Sequence, residues 1–173
     1  MTVVIREERA SDVVAIHDLT VAAFSNAPHT DNTEHLIVNA LRHAGALTAS
    51  LVAMENEQLI GHVALSPVRI LDGTSESTSN WFGLGPVSVE PGMQGQGVGS
   101  KLVRAALKQL EVLRANGCVL LGEPEYYCRF GFSPLPGLVL PGVPIEYFQA
   151  IVLRGTPPTG TVFYHEAFQT TAG

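Results

Sequence analysis

Cysteine is scarce in this 173-residue chain: there are two, Cys118 and Cys128, without CxxC spacing and with no histidine-rich run beside them. Neither a disulfide framework nor a metal site is expected, and Cys118, inside "CVLL", reads as a buried apolar thiol. Charge is sparse too. Charged residues make up 15%, and 10 Lys and Arg stand against 16 Asp and Glu, for a formal net charge of −6. Surfaces that bind polyanions are usually basic, so nucleic acid is not an expected partner. No apolar run approaches the ~18 residues needed to cross a bilayer. The opening "MTVVIREERASD" turns charged within ten residues, unlike a secretory signal. The expectation is a soluble cytoplasmic protein without a membrane partner.

What is present is a hydrophobic fraction of 46%, enough to bury the core of one domain over residues 1–173. "TVVIREE" reads as a first strand. "SDVVAIHDLTVAAF" follows as a helix, with Ser11 or Asp12 as its cap and Ile16, Leu19, Ala23 and Phe24 on one face. "TEHLIVNALRHAG" is a second helix, closed by Gly45. "LTASLVAME" and "QLIGHVALSPVRI" are strands joined at Glu55-Asn56-Glu57. "DGTSESTSN" reads as a polar loop before the strand "WFGLGPVSV". A third helix carries Val98, Leu102, Ala106, Leu110 and Leu113 on its apolar side and stops at Asn116-Gly117. "CVLLG" is a short buried strand and "PEYYCRF" a short helix opened by proline. "EYFQAIVL" and "TVFYHEAF" read as a closing antiparallel pair. The order is strand, two helices, three strands, helix, strand, helix, two strands, which is a mixed α/β sandwich.

Between the strand ending in "VSVEP" and the third helix, Gly92, Gly95, Gly97 and Gly99 fall within eight residues. Glycine weakens a helix start, so four of them there imply that something approaches the backbone closely. A nucleotide P-loop needs G-x-x-x-x-G-K-[ST], but Ser100 separates Gly99 from Lys101. A dinucleotide fingerprint needs a third glycine that is missing. Gln94, Gly97 and Gly99 do satisfy Q-x-x-G-x-G, and this segment resembles the acetyl-CoA loop of the GNAT superfamily of acyltransferases. "YYCRFGF" matches the Y-x-x-x-G-F ending of that family, with Tyr127 in the tyrosine position. The wider run "LGEPEYYCRFGF" is similar to the YhbS-like subgroup of N-acetyltransferases.

The resemblance implies a GNAT-like fold: a central, mostly antiparallel sheet with splayed middle strands, flanked by helices. It implies acetyl-CoA as cosubstrate, no metal, and an amine on a small molecule or protein as acceptor; a homodimer is compatible with it. The pyrophosphate of coenzyme A is expected on the amides of Gln94, Gly95, Gln96, Gly97, Val98, Gly99 and Ser100, at a helix start that offers free N–H groups and a partial positive charge. The strand segment Val87, Ser88 and Val89 is expected to hold the pantetheine arm through the backbone groups of Val87 and Val89. A bulge or edge is expected near Gly85-Pro86, since Pro86 cannot donate to a ladder.

Tyr127 is expected to assist departure of the thiolate. A free thiol titrates near 8.5 and a phenol near 10, so the phenol stays protonated and can donate. One departure stands out. Many relatives have an asparagine contact to pantetheine where this chain has Gly122-Glu123-Pro124. The general base stays open among Glu123, His62, His29 and His35. Two other functions are compatible with the same residues: a non-catalytic acyl-CoA-binding sensor, and an acetyltransferase acting on a nucleic-acid-linked amine.

Overall fold

Two 15-residue strands form the spine of the molecule, β3 (Gln58–Asp72) and β4 (Ser75–Val89). The computed structural model describes residues 2–28 and 30–170. In chain order the other elements are β1 (Val4–Glu7), α1 (Val13–Phe24), α2 (Glu34–His43) and β2 (Ala49–Glu55) before the spine. After it come α3 (Val98–Val112), β5 (Gly117–Leu121), α4 (Pro124–Tyr127), β6 (Leu138–Val139), β7 (Phe148–Val152) and β8 (Gly160–Tyr164). The sheet order is β1-β2-β3-β4-β5-β7, with β8 on the far half of β3 and β6 beside β8. All pairs are antiparallel except β4 with β5 and β6 with β8.

Adjacent strand residues point to opposite faces, and β2 shows how the layers are assigned. Ala53 packs with Leu102 and Val98 of α3, whereas Val52 packs with Ile16 of α1 and Val38 of α2. Helix α3 therefore covers one face, and α1 with α2 covers the other. The apolar row Val98, Leu102, Ala106 and Leu110 is buried as its helical spacing predicts. Leu113 departs from the expectation: α3 ends at Val112, Leu113 is 40% exposed, and Ala115 takes the core position.

Two other expectations are corrected. "DGTSESTSN" is mostly strand, because β3 and β4 form one hairpin whose turn is only Gly73-Thr74. Its serines and threonines lie on an exposed ribbon edge, so they carry no buried alternation that would reveal a strand. The last two long strands do not pair with each other. β7 adds to β5 and β8 adds to β3, so the proline-containing connection "RGTPPTG" carries the chain across the sheet instead of turning it back. The exposed Cys128 and the buried Cys118 are both free thiols.

One polar chain crosses the α1–α2 side. His62 is fully buried and its Nε2 lies 2.7 Å from Ser50 Oγ, which also bonds the Glu8 carboxylate. Glu8 accepts two bonds from the Arg42 guanidinium, at 2.9 and 2.8 Å. Since a carboxylate only accepts, Ser50 donates to Glu8 and its Oγ accepts a hydrogen bond from the Nε2–H of neutral His62. The Nδ1 atom is buried without a partner among the described residues. A second proton would have to enter there, and burial pushes the His62 pKa from 6.5 down to about 4, against the pull of Glu8.

A histidine whose folded pKa lies below its unfolded one stabilises the fold above pH 6.5. That contribution is lost as the pH falls toward 4, because the unfolded chain binds the proton first. The difference is worth up to roughly 3 kcal/mol. Urea unfolding of the wild type is expected to lose stability of that order between pH 7 and 4.5, and His62→Leu to flatten the dependence. An equally steep profile in the variant would refute the assignment to His62.

Candidate active site

The site begins where β4 parts from β5. Their parallel pairing is confined to Trp81, Phe82 and Gly83 opposite Gly117, Cys118 and Val119. On its other side β4 stays bound to β3, but the register shifts: Leu65 faces Leu84 and Val63 faces Val87. Gly85 and Pro86 thus stand opposite Ala64 alone, which is a β-bulge, with Gly85 at φ 138° and the Gly85–Pro86 peptide cis. The bulge expected from Pro86 is present.

Past the bulge, hydrogen bonding sets which groups face the opened edge. Glu90 N–H donates to the Ile60 carbonyl at 2.9 Å, and His62 stands opposite Ser88. His62–Ser88 is therefore the mutually bonded pair, and the backbone polar groups of Val87 and Val89 point away from β3, to the side β5 has vacated. The Gln94 side chain caps that edge by donating from Nε2 to the Val89 carbonyl at 3.2 Å. Ser88 is turned the other way. Its backbone pairs with β3 and its hydroxyl is buried without a partner among the described residues, so neither group faces the opened edge.

Directly after this edge comes the glycine loop. Gly95 and Gly97 have φ of 78° and 87°, the left-handed region that favours glycine. Gly97 is the residue preceding α3, and the first intrahelical bond runs from Lys101 N–H to its carbonyl at 3.1 Å. The amides of Val98, Gly99 and Ser100 are left without helical acceptors. They open onto a cavity of about 260 Å³, lined among others by Gln94, Gly97, Ser100, Tyr126 and Arg129. The Val98 side chain is in the core, so only its backbone is available. Gln96 donates from Nε2 to the Gly92 carbonyl at 3.4 Å and braces the loop.

Tyr126 and Arg129 were not expected here. The Tyr126 hydroxyl lies 3.3 Å from Ser100 Oγ, and the Arg129 guanidinium stacks on the Tyr126 ring at 4.6 Å while Nε donates to the Tyr126 carbonyl. The i, i+3 spacing of these two residues in "YYCR" was the available signal, since it puts them on one helical face. Arg129 brings a positive charge to a cavity whose other polar groups are uncharged.

Tyr127 lies on the far side of the α4 turn, at a second cavity of about 490 Å³ that runs along the bulge and includes Leu84, Pro86, Val87, Leu121 and Glu34. Burial, with a smaller contribution from nearby Tyr126, pushes its phenol up to about 12. It is thus a weaker acid than a free phenol, and a hydrogen-bond donor throughout the physiological range. Gly122 is what admits the ring: a Cβ there would stand 2.3 Å from Tyr127 Cε2.

The three candidate bases among the described residues are scattered. Glu123 precedes α4 and lines a further cavity, His62 is sealed inside the sheet, and His35 meets the His17 ring edge-on at 4.9 Å. His29 lies outside the described residues.

A sequence model of the "Acetyltransferase (GNAT) domain" family matches residues 4–135. The chain belongs to the GNAT family of acetyltransferases. It is 35% identical over 130 residues to the uncharacterized N-acetyltransferase YhbS of Escherichia coli K12, covering 75% of this chain and 72% of that protein. Its fold is similar to a GNAT acetyltransferase from Brucella melitensis crystallised with acetyl-CoA, with a TM-score of 0.84 and 46% identity over 96% of this chain and 98% of that one. The E. coli YhbS crystal structure, a complex with CoA, superimposes with a TM-score of 0.83 and 33% identity over 97% and 92% of the two chains. The YhbS-like subgroup is supported by both sequence and structure.

The Gly122–Tyr127 contact is open to a direct check. Gly122→Ala is expected to cost about 1–3 kcal/mol through overpacking, read as a fall in urea midpoint. The same change in a Tyr127→Ala background should be close to neutral. Equal costs in both backgrounds would mean that the ring does not occupy that space.

Proposed function

We propose that residues 1–173 form one catalytic domain that moves an acetyl group from acetyl-CoA directly to an amine, without a covalent acetyl-enzyme. The observation that carries this reading is the succession of three features: the amides at the start of α3, the β4 edge at Val87 and Val89 that β5 leaves open, and Tyr127 in the cavity beside the bulge. Two similar proteins crystallised with acetyl-CoA and CoA support it.

In this reading the amides from Gly95 to Ser100 hold the pyrophosphate, aided by the positive end of α3 and by Arg129. Val87 and Val89 bond the pantetheine arm as a neighbouring strand would. The thioester then reaches the bulge, where a backbone N–H polarises its carbonyl. The amine lone pair forms the N–C bond and the C–S bonding pair leaves on sulfur. Tyr127 stabilises that sulfur by donating its hydrogen bond. Full transfer of its proton is uphill at a pKa of about 12, so the proton that ends on sulfur comes by way of the amine and solvent.

Replacing Gly97 separates charge from strain. Asn and Asp both tolerate a left-handed conformation, but only Asp sets a negative charge against the phosphates. Calorimetry is expected to show CoA binding at least tenfold weaker in Gly97→Asp than in Gly97→Asn; equal affinities would remove the loop from the binding site.

The two tyrosines should divide. Tyr127→Phe is expected to lower kcat by about 10²-fold or more with CoA affinity nearly unchanged. Tyr126→Phe should weaken CoA binding severalfold and leave kcat within about twofold. Near-normal turnover of Tyr127→Phe would exclude its role, and a chain that binds acetyl-CoA but releases no thiol with any amine would be a passive acyl-CoA-binding domain.

A further inference from the structure

We infer that the acceptor is a small primary amine on an apolar body without a carboxylate of its own, and that Glu34 holds its ammonium group. This rests on the acetyl-transfer reading above and assigns its second substrate. The cavity beside Tyr127 is walled by apolar side chains, among them Phe24, Ile37, Leu84 and Phe168, and Glu34 is the single carboxylate in its lining among the described residues. Glu34 begins α2, and its Oε1 accepts a hydrogen bond from the Thr30 hydroxyl, which also lines the cavity. The carboxylate is thereby fixed at the wall by a neutral donor. Ion pairs among the described residues join Arg6 to Asp12, Arg42 to Glu8 and Arg69 to Glu76, and Glu34 takes part in none of them. A carboxylate beside apolar walls, with no cationic partner among the described residues, favours a cation from solution.

The second part of the inference concerns the amine's body. Leu121, at the end of β5, is shared with a further cavity of about 650 Å³ whose lining includes Pro28, Val143, Pro144 and Tyr147, with Glu123 as its charged residue. No Lys or Arg lines either space among the described residues. The two cavities meet at Leu121, and each carries one carboxylate in a largely apolar lining, Glu34 in the one and Glu123 in the other. An ammonium on an apolar chain or ring fits that field, whereas an amino acid or other zwitterion would bring a carboxylate against Glu34 or Glu123 without a cation to receive it. The reaction balances as ammonium plus thioester giving amide, free thiol and one proton. That proton passes to solvent before the amine attacks.

The probes are 2-phenylethylamine, phenylalaninamide and phenylalanine, which share a ring and a primary amine and differ in what stands beside the nitrogen. Thiol release from acetyl-CoA should show the first two accepted and phenylalanine at least tenfold poorer in kcat/KM. In the Glu34→Gln protein, KM for 2-phenylethylamine should rise tenfold or more with kcat changed less. Calorimetric binding of that amine to the CoA-saturated protein should weaken by the same factor, and the Kd for CoA should stay as it was. Thermal unfolding checks that the variant is folded, and the ranking of the three probes by the wild type stands without the variant. Phenylalanine used as well as its amide, or an amine affinity indifferent to Glu34→Gln, would overturn this inference while leaving acetyl transfer intact. Failure to bind CoA at all would instead overturn the reading on which it rests.

Discussion

Everything at the candidate site depends on β4 being held on one side and released on the other. Its bond to β3 is continuous enough to fix the strand, through the mutually bonded His62–Ser88 pair and the Glu90–Ile60 bond beyond it. Its bond to β5 lasts three residues and then ends. Backbone polar groups that lose a partner inside a protein are costly unless something else satisfies them. The β4 edge past Gly83 therefore keeps hydrogen-bonding capacity that β5 does not use, and the bulge at Gly85-Pro86 lies where the two strands part.

That release needs support elsewhere. β5 gains β7 on its outer edge, with five aligned residues from Gly117–Val152 to Leu121–Phe148, so a strand half detached on one side is secured on the other. The chain Arg42–Glu8–Ser50–His62, partly exposed at Arg42 and Glu8 and buried at His62, ties α2, the segment after β1, β2 and β3 together. Its location explains why the sheet's histidine is structural in character: both the ring and its one hydrogen bond are enclosed, and no path joins it to the groove among the described contacts.

The α4 turn divides its two tyrosines between neighbouring cavities. Successive residues on a helix point about 100° apart, so Tyr126 reaches the α3 amides while Tyr127 reaches the bulge. The rings meet edge-on at 4.9 Å, with Tyr126 lining the cavity at the start of α3 and Tyr127 the cavity beside the bulge. Gly122 on one side and Gly99 on the other make room for them: a Cβ on Gly99 would stand 3.1 Å from the Tyr126 hydroxyl. Glycines in two separate motifs thus serve one aromatic pair.

Local chemistry determined much of this protein. The apolar row of α3, the glycine loop before it, the bulge forced by Pro86 and the tyrosine turn were all legible, because each depends on residues within a few positions of one another. So was the broad order of elements. The tertiary structure decided what depends on distant partners: that "TSESTSN" is an exposed strand, that β7 and β8 go to different neighbours, and that Ser88 faces the wrong way for the groove. It also decided that Arg129 and Tyr126 join the loop and that Glu34, from a helix far earlier in the chain than the bulge at Gly85-Pro86, lines the same cavity as Tyr127. The alternation of a strand tells which residues share a face; which strand or cavity that face meets is set only when the whole chain packs.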